Sequence, residues 1–236
     1  MDLINISKYS HIDLRSEKEY EKGTIPNSIN IPILNNHEFE RVGKEYKVHG
    51  QNAAIDLGLQ LVSGSLKKNR IIKWENHINL NQGCSIFCYR GGLRSKLAQE
   101  WLLEKKNKVD RISGGYKKVR NKILEQFSDN EIYKKKWFII GGLTGSGKTV
   151  LLNNFQQAVD IEAIANHRGS AFGRTNTAQP SCANFENKLA FHYMYYKCSN
   201  ILLEDESKTI GKATLPKNWY DKMQTADLIV MDIKIE

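Results

Sequence analysis

The chain has 236 residues, 40% of them hydrophobic and 26% charged, which leaves room for one large domain or two modest ones and excludes a disordered chain. No run approaches the roughly 18 apolar residues of a membrane span, and MDLINISKYSHIDLR lacks the basic-then-apolar pattern of a secretory leader. The net charge of +9 lies wholly in residues 1–136, with 25 Lys and Arg against 16 Asp and Glu, while residues 137–236 carry 10 of each. Such a basic half either binds nucleic acid through its phosphates or forms a solvated lysine-rich face.

Cys84, Cys88, Cys182 and Cys198 are too scattered for a disulfide framework, and no CxxC pair indicates zinc. A reducing, cytoplasmic setting is expected, with no membrane association.

In chain order, HIDL (11–14) reads as a strand and SEKEYEKG (16–23) as a helical turn ended by Gly23. TIPNSINIPI (24–33) holds a turn and a strand, and a helical stretch runs from about His37 to Val62. CSIFC (84–88) reads as a buried strand, and SKLAQEWLLEK (95–105) as an amphipathic helix with Leu97, Trp101 and Leu102 on one face. VDRIS (109–113) is another strand, and GGYKKVRNKILEQ (114–126) a loop leading into a helix. A polar seam, SDNEIYKKK (128–136), precedes WFIIGGLTGSGKTVLLNNF (137–155), which reads as strand, glycine-rich loop and helix. AVDIEAI (158–164) and NILLEDES (200–207) are strand-like, NFENKLAFHYMYYKC (184–198) helical, and ADLIVMDIKIE (226–236) a last strand. Alternating strands and helices point to parallel α/β sheets.

Cys88-Tyr89-Arg90-Gly91-Gly92-Leu93-Arg94-Ser95 runs from a strand end to a helix start. Successive backbone N–H groups in such a loop form an anion nest, and the helix adds its positive end. Gly91 and Gly92 permit the positive-φ turns that such a loop needs. Arg94 either braces the loop or pairs with the anion. A sulfur placed there favours thiolate and is a competent nucleophile; the bland alternative is a buried strand cysteine before a Gly-Gly turn.

Cys-x5-Arg loops belong to rhodanese-type sulfurtransferases and to cysteine phosphatases. DLRSEKEYEKGTIPNSINIP (13–32) and ISGGYKKVR (112–120) resemble the flanking patterns of rhodaneses, in the same order. In that family the cysteine carries a persulfide or its selenium equivalent. Asp13 and Arg15 are read as fixing the fold.

Gly142-Leu143-Thr144-Gly145-Ser146-Gly147-Lys148-Thr149 fits GxxxxGK[ST], with a strand before it and a helix after. Gly142, Gly145 and Gly147 let the backbone wrap a diphosphate or triphosphate, Lys148 reaches its terminal oxygens, and Thr149 permits Mg²⁺ without requiring it. Glu204 or Asp205, at the end of an apolar strand, is a candidate second carboxylate or simply part of an acidic loop; Asp160 is a similar case. No firm metal site is read. In HRGSAFGR, Arg168 and Arg174 suit phosphates, His167 and Phe172 suit stacking on a base or lining an isoprenoid channel, and Ser170 completes a candidate substrate or tRNA segment.

CYRGGLRS, GGLTGSGKT, NFENKLA, HRGSAFGR and LLEDESKTIG together resemble the bacterial tRNA 2-selenouridine synthase family over nearly the whole chain. The resemblance implies a rhodanese-like parallel-sheet domain (1–127), a linker (128–136) and a P-loop NTPase-like α/β domain (137–236). It implies replacement of the sulfur of wobble 2-thiouridine in tRNA by selenium. Geranyl diphosphate first alkylates the sulfur, and selenophosphate then supplies selenium. Both are substrates, and no tightly bound cofactor is implied. Cys88 is assigned to the selenium step, as carrier or in contact with the donor, with Arg90 and Arg94 holding the anion. Partners are tRNA and an enzyme that supplies selenophosphate. Family members continue further, so the end at Ile235-Glu236, inside a strand, reads as a C-terminally incomplete domain. The competing readings are a persulfide carrier fused to a P-loop kinase and a non-catalytic tRNA-binding remnant. A phosphatase is disfavoured by the rhodanese flanks.

Overall fold

A computed structural model describes residues 3–143, 146–168, 173, 175–196 and 198–231. The chain forms two units, 1–120 and 121–236. The division falls inside a helix, ahead of the seam expected at 128–136.

The first unit comprises α1 (Leu3–Lys8), β1 (His11–Asp13), α2 (Glu17–Lys22), β2 (Ser28–Asn30), α3 (Asn36–Leu61), α4 (Gly64–Leu80), β3 (Ser85–Phe87), α5 (Leu93–Glu104), β4 (Asp110–Arg111) and the start of α6 (Gly115–Glu125). Its strands are all parallel, in the order β2-β1-β3-β4. Parallel strands buried on both faces need apolar residues at successive positions, and Ile12, Leu14, Ile86 and Phe87 supply them, fully buried. Trp74 of α4 stacks on Trp101 of α5 at 6.2 Å and 17°, and its Nε1 donates to the Ile31 carbonyl.

α4 escapes sequence reading because it has no sharp apolar face; only Arg70, Ile71 and Trp74 are buried. Arg70 pairs with Glu38 at 2.6 Å and also donates to the Ile33 carbonyl, so the buried charge is doubly satisfied. α3 starts on a capping box: the Asn35 side chain accepts from Glu38 N, and Glu38 accepts from Asn35 N. Gly50 breaks α3 with φ 84 and ψ −170, a conformation open to glycine alone.

The second unit adds α7 (Asp129–Ile132), β5 (Lys136–Gly141), α8 (Lys148–Leu152), β6 (Ala158–Val159), α9 (Ile161–Ala165), α10 (Cys182–Tyr195), β7 (Asn200–Glu204), β8 (Thr209–Ile210), β9 (Ala213–Thr214), α11 (Lys217–Gln224) and β10 (Asp227–Val230). Its main sheet is parallel, in the order β10-β5-β7-β6, and β8 and β9 form an antiparallel pair.

AVDIEAI is not one strand. Asp160 caps a helix by accepting from Ala163 N at 2.8 Å, so the strand stops at Val159. Residues 129–136 pack as structured chain: the Tyr193 hydroxyl donates to the Glu131 and Ile132 carbonyls, and Lys222 Nζ to those of Ile132 and Lys135. Trp137, Tyr193, Trp219 and Phe127 form the aromatic centre of this unit, with Trp137 and Trp219 4.6 Å apart. Among the described residues no helix is long and apolar enough to cross a membrane.

Candidate active site

Each unit presents a loop at the carboxyl end of a central parallel strand, where open α/β sheets place their ligands. In the first unit β3 delivers Cys88 to the loop and α5 begins five residues later, at Leu93. The thiol is buried, with Sγ 3.3 Å from Ser95 Oγ and 4.0 Å from the Gly92 carbonyl oxygen. Ser95 Oγ donates to that carbonyl at 3.1 Å and accepts from the thiol, which orients the sulfur.

Only one of the two loop glycines takes a positive φ. Gly91 has φ 68, whereas Gly92 has φ −90 and caps α5. The next Gly-Gly explains more. Gly114 and Gly115 have φ 79 and 58, and a Cβ on Gly115 would lie 2.1 Å from the Cys88 carbonyl oxygen. This contact brings the start of α6 onto the cysteine loop. Tyr116 N donates to the Cys88 carbonyl and Lys117 N to that of Tyr89. Two N–H groups that the first turn of a helix leaves unpaired thus bind the loop.

Arg94 is a brace. It holds Glu19 through two bonds of 2.6 and 3.1 Å and lies 5.0 Å from the Phe39 ring centroid. Burial alone would raise the Glu19 carboxyl, but the hydrogen bond and charge of Arg94, helped by the Ser16 N–H and the Arg15 charge, hold the group below its ordinary value. Arg90 is exposed, beside the Tyr89 ring, and among the described residues it is not tied to a carboxylate. Asp13 and Arg15 form a buried bidentate pair, reinforced by Thr24 and the Gly23 carbonyl, with the guanidinium 4.0 Å from the Tyr116 ring. They fasten β1, α2 and α6 together. Burial pushes the Cys84 thiol up to about 11, which keeps it a protonated core thiol.

In the second unit β5 leads into residues 142–147, and Gly147 (φ 80) caps α8. Lys148 Nζ donates to the Gly142 and Leu143 carbonyls at 2.9 and 3.1 Å. Ser146 Oγ is buried without a partner. Gly145 lies outside the described residues, as do Ser170, Phe172 and Arg174. Thr149 lines a cavity of about 190 Å³ with Asp160, Glu162, Asn166, His167 and Arg168. The cavity gathers one residue of the phosphate loop and two of HRGSAFGR, His167 and Arg168.

Between Glu204 and Asp205, Glu204 is the residue that joins a carboxylate group. It is buried, Oε2 has no partner, and it meets Glu162 and Glu206 with ligand oxygens all within 4.8 Å. Asp205 is exposed, and its N–H continues the pairing with the Ile140 carbonyl. Strand alternation would have put 204 and 206 on one side; Glu162 carried no sequence signal, because α9 read as strand. Burial first, then the charges of Glu162 and Asp160, push Glu204 up to about 7, while Lys148 opposes them. Burial and Glu162 push Glu206 up to about 8. Hard oxygen donors with an orphaned buried oxygen fit a divalent cation such as Mg²⁺. Glu162, Glu204 and Glu206 are the residues that would hold it, and it would neutralise phosphate charge there.

His167 and Gly211 bind two motifs together. A Cβ on Gly211 would lie 2.8 Å from His167 Cδ2 and 2.2 Å from Gln179 Oε1, and Gln179 Nε2 donates to the Ala165 and Ile210 carbonyls. Arg168 N donates to the Gly173 carbonyl, and the Arg168 side chain is exposed.

Residues 1–122 match the family model described as a rhodanese-like domain, and residues 135–236 the one described as the tRNA 2-selenouridine synthase AAA domain. The chain belongs to the tRNA 2-selenouridine synthase family. It is 43% identical over 232 residues to the tRNA 2-selenouridine synthase of Shewanella pealeana, covering 97% of this chain and 63% of that one. The protein of that name from Shewanella denitrificans is 43% identical over 224 residues, 94% of this chain and 61% of its own. That of Sulfurovum is 40% identical over 228 residues, 95% of this chain and 62% of its own. The chain thus spans a little over three-fifths of the length of these relatives. A solved N-terminal domain of a putative ATP/GTP binding protein from Clostridium difficile 630 is 37% identical over 48% of this chain and 88% of its own, at a TM-score of 0.44.

Proposed function

We propose that the chain carries the selenium-transferring activity of a tRNA 2-selenouridine synthase, acting on wobble 2-thiouridine through an S-geranylated intermediate. The observation that supports it most is the pairing of a Cys88 loop and a phosphate loop in a sequence 43% identical over 232 residues to a protein of that name. In the first step the 2-thio sulfur attacks C1 of geranyl diphosphate, the C–O bond breaks, and diphosphate leaves as N3 gives up its proton. Lys148 and the backbone of 142–147 suit that diphosphate. In the second step the selenium of selenophosphate attacks C2, the C2–S bond breaks, and geranylthiolate leaves and is protonated; water then attacks phosphorus, the P–Se bond breaks, inorganic phosphate leaves, and N3 takes back a proton to give 2-selenouridine. Alkylation is what makes the sulfur a leaving group.

Selenium keeps its oxidation state between selenophosphate and the C2–Se bond, whereas a selenium atom bonded to Cys88 Sγ would require an oxidant. Cys88 is therefore assigned to contact with selenophosphate rather than to carriage of selenium. The loop amides and Arg90 would hold the anion, while Arg94 braces through Glu19. An enzyme that supplies selenophosphate and a cytoplasmic location go with this reading.

The test is nucleoside mass spectrometry after incubating the chain with 2-thiouridine-containing tRNA, geranyl diphosphate and selenophosphate. Cys88→Ser is expected to accumulate the geranylated nucleoside and form no 2-selenouridine. Loss of both products with the fold intact would sink the division of labour, and absence of both in the unaltered chain would sink the activity.

A further inference from the structure

The first unit holds a cavity of about 390 Å³ that the motifs do not explain. Small-molecule pockets run from roughly 300 to 1,000 Å³, so it suits one slender ligand. Its wall is mostly apolar, with Gln51 among the lining: Val42 and Tyr46 come from α3 before the break at Gly50, Ala54 and Ile55 from α3 after it, and Leu97 and Trp101 from α5. The break bends the two arms of α3 round one space. Arg94 also lines it, but its guanidinium is engaged by Glu19, leaving its alkyl stem to the cavity. Of the lining residues, Leu93 and Arg94 directly follow Gly92 in the chain, and the Gly92 carbonyl is 4.0 Å from Cys88 Sγ. Apolar walls whose lining continues along the chain into a nucleophile loop suit a ligand with a hydrocarbon tail and a polar, reactive head.

We infer that this cavity binds a single branched hydrocarbon chain of about ten carbons, the prenyl tail of the thioether substrate, with its sulfur end at the Cys88 loop. The identity of that tail rests on the proposed function; the preference for a hydrocarbon does not. The tail would hold the alkylated nucleoside at the loop for selenium attack, and the unalkylated nucleoside would have no such hold.

Tryptophan fluorescence of the whole chain reads binding directly, because Trp101 lines the cavity. Primary alcohols of increasing length are expected to gain about fourfold in affinity per methylene until the cavity is full, and then level off. Gly58 lines the same cavity on α3, and a Cβ there meets only Val42 Cγ2, at 3.8 Å. Gly58→Leu therefore fills the space without backbone strain, and its plateau is expected about four carbons earlier, the size of the added side chain. Ala54→Leu is a second filling variant should the first fail to fold. S-geranyl-2-thiouridine is expected to displace geraniol, and 2-thiouridine to leave it bound.

No saturable alcohol binding, an unchanged plateau in a folded filling variant, or no displacement by S-geranyl-2-thiouridine each overturns the inference. The titration needs neither tRNA nor turnover. Its failure beside an active nucleoside assay removes the cavity assignment alone, and the reverse pattern removes the proposed function alone.

Discussion

At the scale of single residues, the cysteine loop depends on a glycine distant from it in sequence. Gly115 combines φ 58 with a virtual Cβ 2.1 Å from the Cys88 carbonyl oxygen, so Gly115→Ala meets both backbone strain and a clash with main chain. Strain of this kind costs about 1–3 kcal/mol, and the clash adds to it by pushing Cys88 off Ser95. A lower melting temperature together with lost 2-selenouridine formation is expected, and normal formation would show that the loop tolerates the shift. His11 makes a pH-dependent contribution. It is 1% exposed, and burial favours the neutral ring, in which Nε2 donates to the Ile6 carbonyl and Nδ1, 2.8 Å from Ser85 Oγ, is left to accept. Burial lowers its pKa from the ordinary 6.5. The unfolded chain therefore binds the proton first, and stability from the neutral ring is full above that value and lost as pH falls below it. His11→Gln is expected to cost about 1–3 kcal/mol at pH near 7.5 and less at about pH 5, read by urea unfolding at both.

At the scale of elements, short segments were settled by caps more than by periodicity. Asp160 stands after an apolar pair and looks like a strand-end carboxylate, yet its side chain closes the first turn of α9. Asp160→Ala should destabilise by about 1 kcal/mol, measured by thermal melting, and should enlarge the opening beside Thr149. Gly50→Ala should cost about 1–3 kcal/mol, and would straighten α3 if the helix can absorb the change; circular dichroism and the alcohol series read both effects. β3, β5, β7, α5 and α10 were legible because their apolar runs and helical spacing are long enough to be unambiguous. α4 and α11 were not. α4 buries few residues and pairs its arginine, and the first turn of α11 follows Pro216 without an acidic residue.

At the scale of the molecule, charge separates from fold. The excess of nine positive charges lies in residues 1–136. Binding of tRNA to the chain is expected to weaken steeply with salt: about 10³-fold or more between roughly 50 and 200 mM if six or more phosphates are neutralised. A shallow slope in a filter-binding titration would return the lysines to the role of a solvated face. The sequence alone determined both loops, because each is local: a cysteine or a lysine at a strand–helix junction within one short run, with glycines at set spacing. It also determined the parallel α/β class, through buried apolar strands alternating with helices. Tertiary structure decided what meets those loops. Glu19 takes Arg94, Gly115 supports Cys88, Glu162 and Glu206 gather on Glu204, and α3 folds about Gly50 to make a cavity. These contacts join residues with no periodic relation along the chain, and packing and charge pairing between elements select them.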